Sequence, residues 1–316
     1  MHFPVAGIEV NPLLPPLVAF VISLFTSMGG VSGAFLLLPF QVSILGFTSP
    51  SVSSTNQVFN IVAIPSGVYR YIREGRMVWP LTWIVVIGTL PGVLIGAIVR
   101  IQYLPDPKNF KLFVGLVLLY IGGRLLKDLC FRKTRTGPSS TEQRFQQQQK
   151  PPQTGNTASA AGEQLNRVKV QQWTPGRIVY EFQGETISVN AWGIMALSLI
   201  VGLIGGVYGI GGGSIIAPFF VSFFGMPVYT VAGAALMGTF VTSVAGVIVY
   251  QVLAPWYPGM AIAPDWLLGF LFGIGGFAGM YCGARLQKFV PAAFIKWILV
   301  VCLLFTAGSY ILPLLG

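Results

Sequence analysis

Histidine is almost missing from this chain. The one imidazole is His2, and the three cysteines (Cys130, Cys282 and Cys302) form neither a close pair nor a metal-ligand spacing. Zinc binding, disulfide scaffolding and Cys–His nucleophilic chemistry therefore have no residues to work with, and no cofactor or metal is expected. Charge is scarce as well. Asp, Glu, Lys and Arg make up 9% of the residues, against about 25% in an ordinary soluble domain. None of them falls clearly in the middle of an apolar run, so the chain offers no acid–base pair and no proton relay at membrane depth. An enzyme is not expected. No Lys or Arg precedes Arg70, so the basic start of a signal peptide is missing too.

What is abundant is apolar surface, at 54% of the residues. Uncharged runs recur that approach or exceed the roughly 20 residues needed to cross a bilayer, which makes this a polytopic membrane protein. The net charge of +10 then reads as cations gathered in cytoplasmic loops rather than as a nucleic-acid surface. Ten apolar segments can be marked, at 13–28, 31–45, 51–71, 79–99, 109–126, 191–207, 213–225, 228–252, 265–284 and 293–313. Between the two sets of five lies a polar stretch, 128–190, with the run Gln146 to Gln149 and a Pro/Thr/Gly/Ala-rich tract after it. Such a composition cannot bury a core and predicts a linker, with a small β-hairpin in the alternating stretch from Arg177 to Val189. The expected organisation is a five-segment half at 1–127, the linker at 128–190, and a second five-segment half at 191–316.

The two halves read as a duplication. A shift of 179 residues sets Gly30 on Gly209, Gly33 on Gly212, Pro39 on Pro218, Asn60 on Thr239, Gly67 on Gly246 and Tyr71 on Tyr250. Later shifts of 187 and 186 pair Trp79 with Trp266, Gly92 with Gly279 and Pro105 with Pro291. Five crossings per half is odd, so the halves would be inverted relative to each other. The cations agree: of 19 Lys and Arg, only Arg100, Lys108 and Lys111 fall on the side opposite the linker. The positive-inside rule then puts the linker in the cytoplasm and both termini outside, in the plasma (inner) membrane. Single crossings for segments 1–2 and 6–7 would instead make the halves parallel, with a weaker charge bias. The expected fold class is thus all-α integral membrane, two inverted repeats of five segments each.

Segments 2 and 7 are too short to span, and each follows glycines and contains a proline: GGVSGAFLLLPF and YGIGGGSIIAPFF. Paired, short, Gly/Pro-broken segments near the midplane are the sequence pointer to a transporter's binding site. The glycines do not make a nucleotide loop, because no Lys-Ser or Lys-Thr follows them. The stretch GIGGFA (Gly273–Ala278) fits a loose dinucleotide pattern but lies inside an apolar crossing. Its glycines, with Gly279 and Gly283, and the run Gly88, Gly92 and Gly96, have the spacing of a helix-packing face. Such faces could pack within the chain or between chains, which leaves a homo-oligomer open.

For the glycine entries two readings stand, close packing and a solute site. A helix start exposes unpaired N–H groups and partial positive charge, so the solute would be an anion. The candidate binding residues are Gly30, Ser32, Gly33, Ala34 and Phe35 in the first half and Gly211, Gly212, Gly213 and Ser214 in the second. Asn56 and Asn60 share one face of segment 3 with Gln57 nearby, and Thr239 is their counterpart on segment 8. The amides could bond a neighbouring helix or touch the solute. Arg70, Arg73 and Arg76 read as topology determinants, and Asp265 as a helix N-cap.

At these motifs the chain resembles the sulfite exporter TauE/SafE family. The likeness spans about 30–127 and 191–312 and rests on GGVSGAFLLLP, GIGGGSIIAP, the helices STNQVFNIVAIPSGVYRY and GAALMGTFVTSVAGVIVY, and the small-residue stretches PGVLIGA and GMYCGA. Pro65, inside segment 3, and the Gln-rich linker depart from the simplest family pattern. The resemblance implies a transporter exporting sulfite or a short organosulfonate such as sulfoacetate, with a small anionic solute and the lipid bilayer as partners and no nucleic acid. A carboxylate carrier and a non-transporting accessory subunit are the alternatives.

Overall fold

The computed structural model describes residues 1–28, 31–131, 167–286 and 292–312. Among the described residues lie ten α-helices. They are α1 (Leu14–Met28), α2 (Ala34–Ser43), α3 (Ser51–Arg73), α4 (Trp79–Gln102), α5 (Pro107–Phe131), α6 (Ala191–Tyr208), α7 (Ile216–Phe224), α8 (Val228–Leu253), α9 (Trp266–Leu286) and α10 (Ala292–Ile311). Each falls on one of the ten apolar segments. Five stretches are long and apolar enough to cross a membrane: Trp79–Gln102, Pro107–Lys127, Ala191–Tyr208, Thr230–Trp256 and Trp266–Gly283. The chain is a mostly helical, multi-pass membrane protein.

Helix α3 is long but is not among these five stretches. It has 23 residues, enough to span, but its first turns read SVSSTNQVFN. Every residue from Ser51 to Asn60 is buried, so this polar stretch meets protein and not lipid, as membrane helices with polar side chains require. Ser51 Oγ donates to Ala263 O at 2.6 Å and Ser54 Oγ to Ile262 O at 2.8 Å. Pro65 lies inside α3, which continues through it as one helix.

The glycine faces are packing devices within the chain. α4 runs along α6 and α1 along α9. A Cβ at Gly92 would strike Leu199 O and Leu203 N, and one at Gly96 would strike Leu203 O; at Gly275, Gly279 and Gly283 it would strike Pro16 O, Phe20 O and Leu24 O. Backbone against backbone is the closest approach two helices can make, and only glycine permits it. The other main pairings are α3 with α9, α4 with α8, α3 with α8, α5 with α10, α2 with α3 and α7 with α8. Exchanging each helix for the one five places along maps these pairings onto one another.

The central pair, α3 and α8, runs antiparallel. Asn60 meets Ser243, Gln57 lies against Gly246, and Gly67 lies against Leu236. As one number rises the other falls.

Strands β1 (His2–Phe3) and β2 (Ile8–Glu9) form a short N-terminal pair. The expected hairpin is present as β4 (Arg177–Phe182) and β5 (Glu185–Asn190), with Gln183 and Gly184 both at positive φ in the two-residue turn, the geometry of a type I′ connection. A further strand, β3 (Lys169–Trp173), pairs with β4. Its alternation is poor because all five residues are exposed, so no hydrophobic pattern marked it. On β4, Ile178, Tyr180 and Phe182 point inward, and Tyr180 OH hydrogen-bonds Thr230 Oγ1 at 2.9 Å at the start of α8. Burial pushes that phenol above its ordinary range. The remainder of the polar stretch, 132–166, lies outside the described residues.

Candidate functional site

The second glycine loop begins where α6 ends. Gly209 closes the helix at φ +81°, and its N–H and that of Ile210 both reach Gly205 O. Gly211 follows at φ +77°, a conformation that side-chain-bearing residues avoid. The loop is also pressed from all sides. A Cβ at Gly209 would enter the backbone of Ser53 on α3, one at Gly212 would meet Thr89 on α4, and one at Gly213 would collide with Ala235 O on α8. Helix α7 then starts at Ile216 with no side-chain cap. In the first half, Gly33 is the N-cap of α2, likewise without a side-chain cap of its own; Gly30 lies outside the described residues.

Both loops meet on α3. Ser32 Oγ donates to Asn60 Oδ1 at 2.6 Å, while Asn60 Nδ2 donates to Ile210 O at 2.9 Å and to Ser243 Oγ at 3.2 Å. One turn earlier, Asn56 Nδ2 donates to Ala34 O and to Gly209 O, each at 3.0 Å. Ser32 Oγ also accepts from Ala34 N at 3.3 Å, and Tyr208 OH donates to Phe35 O at 2.7 Å. Ser32, Ala34, Phe35, Asn56 and Asn60 are therefore brought together with the second loop. Gly33 stands apart from this contact and faces Ser23 Oγ and Thr26 Oγ1 of α1.

The second-half candidates form an adjoining group. Gly212 N donates to Thr242 Oγ1 at 2.9 Å; Ser214 Oγ donates to Ile210 O and lies 3.5 Å from Thr239 Oγ1. Gly211 and Gly213 pack against Thr239, whose own hydroxyl donates to Ala235 O at 2.9 Å. The amides that could have faced either a neighbour or a solute thus hold the loops in this structure. Packing and polar contact are combined in the same residues: the glycines admit the backbone, and the asparagines fix its carbonyls.

Several participants were not singled out from the sequence. Gln41 Nε2 donates to Asn56 Oδ1 at 3.3 Å, and its Oε1 is buried without a partner. The signal was a lone amide in an otherwise apolar short helix. Ser23 Oγ and Thr26 Oγ1, beside Gly33, are also buried and unpartnered. Tyr208 and Thr89 carry no local pattern and could be found only by tertiary contact.

Outside the loops, Asp265 caps α9 as expected: its Oδ1 accepts from Leu268 N at 3.1 Å, and Oδ2 accepts from Ala6 N at 3.2 Å. At the end of α3, Glu74 pairs with Arg70 at 2.6 Å and with Arg76. Burial alone would raise the Glu74 carboxyl, but the two guanidiniums outweigh it and hold it below the usual carboxylate range.

The groups that meet at the two loops are hydroxyls, amides and backbone, with no carboxylate among them. That is a setting for a neutral or anionic solute. No curated protein and no solved structure matches the chain. A family profile does, over residues 16–310. Since that match runs from α1 to α10 and takes in both glycine loops, the chain belongs to the sulfite exporter TauE/SafE family.

Proposed function

We propose that this protein is a secondary transporter that exports a small sulfur oxyanion, sulfite or a short organosulfonate such as sulfoacetate, by alternating access. The observation that carries the reading is the meeting of the two glycine loops, which lead into α2 and α7, at one polar helix, α3. The helix starts supply N–H groups and partial positive charge, and the lining supplies neutral donors. Ser32, Gly33, Ala34 and Phe35, with Gly30 before them, and Gly211, Gly212, Gly213 and Ser214 would form the two walls, with Asn56, Asn60 and Thr239 between them.

Alternating access in this reading is a rocking of one half against the other. The exchange symmetry of the helix pairings supports two equivalent halves, and the antiparallel α3–α8 pair supports their inversion. The cation distribution supports a cytoplasmic linker and external termini in the plasma membrane.

The test is counterflow of labelled sulfite into proteoliposomes of the purified protein, with sulfoacetate, sulfate and acetate as competitors. Saturable exchange blocked by sulfoacetate and not by acetate is the expected result. Exchange of acetate in place of sulfite would transfer the reading to a carboxylate carrier. Absence of any flux would favour an accessory subunit.

A further inference from the structure

The α3–α8 seam continues past the glycine loops toward the N-terminal end of α3, and there its polar groups lose their partners. Ser53, Gln57 and Tyr250 are all fully buried. Both amide atoms of Gln57 are without a hydrogen bond; the side chain fills the space that a Cβ at Gly246 would need. One turn along, Ser53 Oγ and Tyr250 OH approach each other without completing a hydrogen bond of good geometry. Ser53 itself packs on Gly209, so this line of groups begins at the second loop.

A charge stands at its far end. Tyr250 packs with Ala97 and Ile101, which flank Arg100 on α4. Arg100 is fully buried. Its guanidinium donates to Leu104 O and, at 3.4 Å, to Thr48 O, and it lies 3.7 Å over the ring of Phe110, while Nε is unpartnered. Among the described residues no carboxylate pairs with it. Burying an uncompensated charge is costly, and leaving several hydroxyl and amide groups unpaired adds to that cost. One kind of occupant answers both: a small oxyanion, since Arg Nε, Gln Nε2, Ser Oγ and Tyr OH can all donate.

We propose that the Arg100 end of the α3–α8 seam is a second anion station, formed by Ser53, Gln57, Tyr250 and Arg100. The transported oxyanion rests there between the glycine loops and the membrane face at Thr48 and Leu104. This rests on the anion-transport reading above and places its substrate at residues outside the two loops. Gln57, Tyr250 and Ser53 donate to the oxygens, and Arg100 supplies the charge.

The experiment is calorimetric binding of sulfite, sulfoacetate and acetate to the full chain purified in detergent. The variants are Gln57→Leu and Tyr250→Phe, with Tyr71→Phe, at the duplicated position, as the control. Gln57→Leu and Tyr250→Phe are expected to weaken sulfo-anion binding at least tenfold and Tyr71→Phe less than twofold. Tyr250→Phe removes one unpartnered oxygen and should keep its melting temperature, so it remains informative if Gln57→Leu fails to fold. Wild-type-like binding by Tyr250→Phe and by any folded Gln57→Leu would overturn the station and leave the transport reading standing. Binding of acetate alone, lost in Tyr250→Phe, would keep the station and overturn the sulfur assignment. No anion binding by the wild type would overturn both.

Discussion

The two ends of the α3–α8 seam are built on the same plan and filled differently. At one end Gln57 lies against Gly246; at the other, Leu236 occupies the matching place, where a Cβ added at Gly67 would stand 3.2 Å from its Cδ1. Tyr250 stands beyond the first pair and Tyr71 beyond the second, and each has an arginine nearby. The arginines differ in what holds them. Arg76 lies 4.6 Å over the Tyr71 ring and pairs with Glu74, whereas Arg100 is held by carbonyls and the Phe110 face. One arrangement recurs at both ends. One end is apolar and neutralised, and the other is polar and holds a buried arginine with which, among the described residues, no carboxylate pairs. The sides of a transporter that load and release a solute need not be alike, and here the difference lies in named pairs.

The largest effect is expected where the matched positions differ most. Asn60→Leu would strip partners from Ser32 Oγ, Ile210 O and Ser243 Oγ, at about 1–3 kcal/mol for each orphaned buried group. Loss of folded protein in size-exclusion chromatography, or of all flux, is expected. Thr239→Val, 179 residues along, removes a hydroxyl that donates to its own helix and accepts only a long 3.5 Å contact from Ser214 Oγ, and should cost about 1 kcal/mol or less. Equal losses from the two would erase the distinction drawn between them.

A middle-sized effect should be shared by both halves. Gly92→Ala drives a methyl into α6 and Gly279→Ala drives one into α1, each costing about 1–3 kcal/mol by overpacking. Melting temperatures lowered to a similar extent would support equivalent halves, and a drop confined to one variant would count against them. A bulky residue at Gly212 is a poor probe of the solute site by contrast. Its Cβ would already stand 2.5 Å from that of Thr89, so loss of transport would not separate binding from packing.

The smallest effect concerns the neutralised end. Glu74 is held below the ordinary carboxylate value by Arg76 and Arg70. A depressed pKa means the stabilisation is present above that value and is lost as pH falls through the lowered one. The side chain is about a third exposed, so screening keeps the contribution near or below about 1 kcal/mol. Glu74→Gln should therefore lower the melting temperature slightly at pH 7, with the difference from wild type vanishing in acid. A difference that grows in acid would show that the pair is not what stabilises this end.

The sequence alone determined the class and the ten helices. Each of these depends on residue type and spacing along the chain: apolar run length sets a crossing, glycine every fourth residue sets a smooth face, and an Asp before an apolar run sets a cap at Asp265. The chemistry of the candidate site was legible only in part. Asn56 and Asn60 stood out because amides are rare in membrane helices, but what they touch is fixed by residues some 150 positions away, at Gly209 and Ile210. Arg100 shows the limit most clearly. Along the chain it is one cation at a helix end, one of three on the side opposite the linker, and nothing in its sequence neighbourhood sets it apart. Its burial, the absence of a carboxylate partner among the described residues and its place near Tyr250 depend on how α4, α5 and α8 enclose it, and only tertiary packing decided that.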